Sequence, residues 1–176
     1  MKKKTNLMLA LLLVLTSVSV YSQNDSVYIQ KQVDEMTDKS YAFASRRIVC
    51  IDEVNKRGFN VSFFMDVVNG KCSTSDLQVK TVGIGTCNEN NTIVFLFEDG
   101  TKLSLKSWNK FNCDGDSWFR VSNSDKEKLS TVKIKKIMVE NGRSYESYTH
   151  ELKEDQDYFI QLGIAVQKQK VKLIKD

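Results

Sequence analysis

From Phe59 to Val67 the chain alternates. Phe59, Val61, Phe63, Met65 and Val67 are apolar, and Asn60, Ser62 and Asp66 stand between them. A period of two puts the apolar set on one buried face of a strand. Phe64 interrupts the polar face and reads as a contact to a neighbouring element. Asn55-Lys56-Arg57-Gly58 before this segment and Asn69-Gly70 after it are turn signals. Tyr41 to Ile51 reads as the preceding strand. Leu77 to Ile84 reads as the following one, weakened by Gly83 and Gly85. Ile93 to Phe97 is apolar on both faces, which predicts a central strand, and Asp99-Gly100 is a strong hairpin signal. Lys102 to Trp108 returns with Leu103 and Leu105 inward, and Ser117 to Ser122 is a further short strand.

Helical signals are fewer. Ser124-Asp125-Lys126-Glu127 resembles a short helix start, with Ser124 as N-cap and Glu127 at the capping-box position. Val132 to Val139 reads as a strand whose phase slips at Lys135-Lys136, which a β-bulge there explains. Asn141-Gly142 makes a second hairpin turn, and Arg143 to Leu152 returns. Tyr158, Phe159, Leu162, Ala165 and Val166 fall at helical spacing, with Asp155 and Asp157 in the first turn. Gly163 weakens that helix by roughly 1 kcal/mol relative to Ala. Gln23 to Lys39 is polar with scattered apolar residues and reads as a first strand or a short helix. The sum predicts an α+β fold, an antiparallel sheet of hairpin-connected strands with a C-terminal helix packed on it. An all-β sandwich or partly open barrel is the alternative.

The N-terminus changes this picture. Lys2, Lys3 and Lys4 precede an apolar run from Leu7 to Val20, and Val20-Tyr21-Ser22 offers a cleavage site after Ser22. This is the pattern of a secretory signal peptide. The run is shorter than the roughly 20 residues a spanning helix needs, and no later segment is long and apolar enough. The expected organisation is a leader at 1–22, an N-terminal segment at 23–40, one β-rich domain at 41–167 and a basic tail at 168–176. Removing 22 of 176 residues leaves 154, enough for one core. Lys and Arg number 26 and Asp and Glu 22, but three of the lysines belong to the leader. The remainder carries 23 against 22, so no basic field points to nucleic acid. The tail's lysines could touch anionic head groups, but such termini are more often simply solvated.

Four cysteines, Cys50, Cys72, Cys87 and Cys113, in an exported chain favour disulfides. A two-residue turn at Asp99-Gly100 pairs positions that sum to 199, and Cys87 and Cys113 sum to 200. They lie together at the open end of the hairpin, within disulfide reach. Closing that loop of about 25 residues contributes roughly 3–3.5 kcal/mol in the chain-entropy model. Cys50 with Cys72 follows by elimination. Spacings of 22, 15 and 26 contain no short pair of the kind zinc or redox motifs use.

No other chemistry stands out. His150 is the single histidine and sits in no catalytic motif. Gly83-Ile84-Gly85 lacks the rest of a dinucleotide loop. Asp114-Gly115-Asp116 lacks the ordered oxygens of a calcium loop and reads as a turn beside a disulfide. No cofactor or metal is implied. The best candidate for a site is a weak ligand-binding cluster of Trp108, Phe111, Asp114, Asp116 and Trp118. There aromatics, a loop and carboxylates coincide on a stiffened scaffold. Burial in the core is the competing fate of its aromatics, Phe119 among them.

"FLFEDGTKLSL", "FNCDGDSWF" and "VKIKKIMVENGRSYESY…YFIQL" together resemble small exported β-rich proteins of Gram-negative bacteria, a domain of unknown function. The resemblance covers roughly Tyr41 to Leu162. It implies export to the periplasm or cell exterior and a compact β-rich domain. That family has no assigned activity, so no functional residue carries over. The expected function is a non-catalytic binding domain for a protein or glycan partner. The alternatives are a small hydrolase of envelope polymers using His150 or Asp116, and a structural, stress-protective or inhibitor protein of the envelope.

Overall fold

The computed structural model describes residues 26–37, 39–68, 71–168 and 171–173. The segment read as a leader, the turn signal Asn69-Gly70 and most of the segment read as a basic tail lie outside the described residues. Among the described residues eleven strands and two helices follow in order: β1 Ile29–Asp34, β2 Lys39–Ala44, β3 Ile48–Asp52, β4 Arg57–Val68, β5 Lys71–Val82, β6 Thr92–Phe97, β7 Lys102–Lys106, β8 Asp116–Arg120, α1 Asn123–Thr131, β9 Ile134–Glu140, β10 Ser147–Glu151, α2 Tyr158–Gln167 and β11 Val171–Leu173. The fold is α+β, mostly antiparallel sheet with a C-terminal helix, as the pattern predicts.

The strands form two sheets. The larger runs β11-β1-β2-β4-β5-β8, with β3 also paired to β4. The smaller runs β10-β9-β6-β7. The segment before Tyr41 supplies β1, which pairs antiparallel with β2 and parallel with β11, so it is part of the large sheet. The strand expected at Tyr41–Ile51 is two strands. β2 pairs with β4 through Phe43↔Phe64 and β3 through Ile48↔Val61, and the chain breaks step at Ser45-Arg46-Arg47. A β4 of 12 residues is long enough to carry both partners in turn.

The sheets meet along two seams. At one, Ser107 and Phe119 form an isolated bridge and the Trp108 amide donates to the Trp118 carbonyl at 2.9 Å. At the other, Tyr148 of β10 stands edge-on to Phe59 of β4, with ring centroids 6.1 Å apart. Between them lies a core that includes Phe59, Val61, Phe95, Phe97, Ile137 and Val139, all fully buried. The apolar alternation of β4 therefore faces inward as expected. α2 closes the core. Its Phe159 ring lies edge-on to Phe63 of the large sheet at 6.4 Å and to Phe95 of the small sheet at 6.0 Å. A Cβ at Gly163 would come within 2.9 Å of Ser130 in α1, so glycine at that point lets the two helices approach.

Local details correct several expectations. The β6–β7 partners sum to 198, not 199, because the connection has three residues and Gly100 adopts φ +80°. Three-residue hairpin loops place just such a residue in the left-handed region. The capping box of α1 is Ser122 with Asp125, two residues earlier than Ser124 with Glu127. Asp125 binds the Ser122 amide as well as its hydroxyl, which the longer Glu is not needed for. β9 does skip a residue: Leu96 faces Lys136 and Phe97 faces Ile134, leaving Lys135 as the bulge. Asn141-Gly142 opens a loop from 141 to 146 instead of a two-residue turn, since Ser147 pairs with Glu140.

Cys87 and Cys113 are joined, beside a bridge between Asn88 and Asn112. The expected Cys50–Cys72 bond is not made. Cys50 is a buried free thiol. It faces Phe59, whereas Cys72 faces Val67, eight residues further along β4. At about 3.3 Å per residue that is roughly 26 Å, far beyond disulfide reach.

Candidate ligand-binding site

Alternation that sends Phe63 and Met65 into the core sends Phe64 out. In the same way Ala42 and Ala44 are buried and Phe43 faces outward, and buried Ser117 and Phe119 flank outward Trp118. Register then aligns these residues across four strands. Phe43 faces Phe64, Phe64 faces Asp76 and Asp76 faces Arg120, while Gln78 faces Trp118 one row away. Ring centroids are 6.0 Å apart for Phe43 and Phe64, and 5.2 Å for Phe64 and Trp118. The result is a run of aromatic surface on the outer face of the large sheet.

Trp108 joins this run from beyond the end of β7. It is 56% exposed, unusual for so large an apolar ring. Two contacts fix it. Its indole Nε1 donates to Asp76 Oδ1 at 3.1 Å, and the Arg120 guanidinium lies 5.8 Å from the ring centroid. Arg120 Nε donates to the same Asp76 oxygen at 2.8 Å. Asp76 is thus the hub, with a side chain only 13% exposed. Trp108, Trp118, Phe64, Tyr41, Asp76 and Arg120 line a hollow of about 270 Å³. A second hollow, of about 530 Å³, adjoins it. The two share Phe64, and the second extends past Phe43 to Arg46 and Arg47.

Of the five residues the sequence nominates, Trp108 and Trp118 come together here and three do not line the hollow. Phe111 is 49% exposed and lies under Arg143, 5.0 Å from its guanidinium carbon. Asp114 is exposed in the turn after the disulfide, its amide bound to Asn112 Oδ1 at 3.2 Å. Asp116 faces Lys80, and its carbonyl accepts from Asn109 and Asn112. Its Oδ1 is buried without a hydrogen-bond partner. Asp76, Arg120, Phe43 and Tyr41 escape sequence reading, because only the register of four strands assembles them. The one local signal was Phe64, an aromatic on a polar face.

Other reactive groups stand apart. His150 lies on β10 opposite Ile137, in the smaller sheet. The Cys50 thiol is fully buried, and burial pushes its pKa up to about 12. A thiol so placed stays protonated and inert at neutral pH. In the native protein Cys50 is expected to resist a thiol reagent at pH 8 and to react at once in denaturant. Rapid labelling without denaturant would contradict its burial. Since folding raises this pKa above its usual 9.0, its contribution to stability is complete below pH 9 and fades as the pH climbs toward 12.

Comparison with protein-family models, curated proteins and solved structures finds nothing that matches this chain.

Proposed function

We propose that this chain is an exported, non-catalytic binding domain that captures its ligand on the outer aromatic face of the large sheet. The observation that carries the reading is Trp108. It is a large ring left open to solvent yet held in a fixed orientation by Asp76 and Arg120, beside Trp118 and Phe64. Rigid aromatics offer contact area at little entropic cost, and they dominate binding hot spots. The hairpin before the site is closed by the Cys87–Cys113 bond, a link suited to an oxidising compartment. Among the described residues no helix is long and apolar enough to cross a membrane. The alternative of a hydrolase draws less support, since His150 and Asp116 stand in different sheets, opposite Ile137 and Lys80.

The test is recovery of the protein from its own host's envelope, with whatever it holds, by native mass spectrometry and cross-linking. Trp108→Ala removes an exposed ring, so the variant is expected to fold with an unchanged melting temperature and to lose the captured mass at least tenfold. A folded Trp108→Ala variant that retains the same mass would overturn the reading.

A further inference from the structure

The polar groups of the aromatic hollow discriminate among ligands. Both hydrogen bonds of Asp76 fall on Oδ1, and Oδ2 makes none. Arg120 uses Nε for Asp76, and its two terminal nitrogens make no hydrogen bond. An anionic acceptor and a set of cationic donors therefore stand side by side, without a protein hydrogen-bond partner, in the hollow that Trp108 and Trp118 line. A phosphate or carboxylate ligand would use Arg120 and be repelled by Asp76, with Asp66 on the same rim. An ammonium ligand would use Asp76 and be repelled by Arg120. Hydroxyls satisfy both, because each can donate and accept, and two neighbouring hydroxyls can bind the carboxylate and the guanidinium together.

The rest of the site fits the ring that carries such hydroxyls. Aromatic faces carry partial negative charge and attract the slightly positive C–H groups of an apolar ring face. A sugar ring has one such face, with hydroxyls around its edge. The hollow, at about 270 Å³, falls below the roughly 300 Å³ at which pockets begin to enclose drug-sized ligands, so it suits one ring. The adjoining hollow of about 530 Å³ across Phe64 leaves room for the ligand to continue over Phe43. Building on the binding function proposed above, we infer that the ligand is a neutral polysaccharide. One sugar lies against Trp118 and Trp108, its vicinal hydroxyls bridge Asp76 Oδ2 and the Arg120 terminal nitrogens, and the chain runs on across Phe64 and Phe43.

Affinity electrophoresis and tryptophan-fluorescence titration of the full exported chain test this, with laminarin, mannan, xylan and hydroxyethyl cellulose as neutral probes and polygalacturonate as the acidic one. At least one neutral probe should bind, and polygalacturonate should bind more weakly. Asp76→Asn and Trp118→Ala should each weaken binding about tenfold or more. Asp76→Asn keeps the size of the side chain, so it remains informative if Trp118→Ala fails to fold. Binding of polygalacturonate alone, of no probe, or equally by wild type and Asp76→Asn would overturn the inference. If no polysaccharide binds but an envelope protein cross-links in a Trp108-dependent way, the inference falls and the binding function stands. If neither occurs, both fall.

Discussion

Phe159→Ala is expected to lower the unfolding free energy by about 3–5 kcal/mol, the range for deleting a buried phenyl ring. Phe159 is 4% exposed and touches both sheets, edge-on to Phe63 and to Phe95, with Tyr158 at 4.9 Å. Its loss removes the transfer energy of the ring and leaves a void between elements that other anchors hold apart. On the far side of α2's first turn, Tyr158 donates its hydroxyl to the Arg46 carbonyl at 2.6 Å, and Arg46 pairs with Asp155. The helix start therefore cannot slide inward to fill the gap. For a domain of this size 1 kcal/mol is worth about 2–4 °C, so the melting temperature should fall by about 6–20 °C. Chemical denaturation of wild type and variant measures the difference directly. Val54→Ala, at a side chain 89% exposed, should change stability by less than about 0.5 kcal/mol and serves as the control. A Phe159→Ala variant as stable as that control would mean that α2 does not bind the sheets together.

The same ring shows where sequence reading succeeds. Helical spacing of Tyr158, Phe159, Leu162, Ala165 and Val166 defines a buried face; α2 buries the first four, and Val166 is partly buried against the core. Period-two alternation likewise marks the inward face of β4, and the slip at Lys135 marks a real bulge, because each is a property of a few consecutive residues. What fails depends on longer range. The break between β2 and β3 arises because one long strand serves both. Cys50 and Cys72 could be paired only by elimination, and elimination says nothing of the roughly 26 Å that register places between them. The hairpin was one residue out because Gly100 takes a left-handed conformation that allows a three-residue turn. The candidate site divides the same way. Trp108 and Trp118 were legible as aromatics near a loop. Asp76 and Arg120, on strands β5 and β8, become partners only when those strands pair. Phe111 and Asp114 shared the loop with the tryptophans but not the hollow.

Asn141→Ala is expected to cost about 3–5 kcal/mol, although it removes only a small amide. Asn141 is fully buried. Its Nδ2 donates to the Cys87 carbonyl at 2.8 Å and to the Ile84 carbonyl at 3.4 Å, while its Oδ1 accepts from the amides of Arg143 at 2.9 Å and Ser144 at 3.1 Å. Asn88, Asn91 and Ser117, all buried, complete the network, and Asn91 Oδ1 holds the Gly142 amide at 3.1 Å. Each group left unpaired in such a setting costs about 1–3 kcal/mol, and truncation strands several at once. Asn141→Asp separates hydrogen bonding from packing. It keeps the acceptor for the two loop amides but sets a carboxylate against the carbonyls of Cys87 and Ile84 and against Asn88 Oδ1. Burial among acceptors raises the pKa of that carboxyl above its unfolded value, so the protonated form is the one that folds well. Asn141→Asp should therefore be destabilised at neutral pH and regain stability as the pH falls through its folded pKa, a recovery that Asn141→Ala cannot show. Unfolding curves at pH 7 and pH 5 distinguish the two. If Asn141→Asp gains nothing at pH 5 relative to Asn141→Ala, the donor to the Cys87 loop is not what holds this network. The tie between the disulfide-closed hairpin and the β9–β10 loop would then have to lie in the Asn91–Gly142 and Phe111–Arg143 contacts.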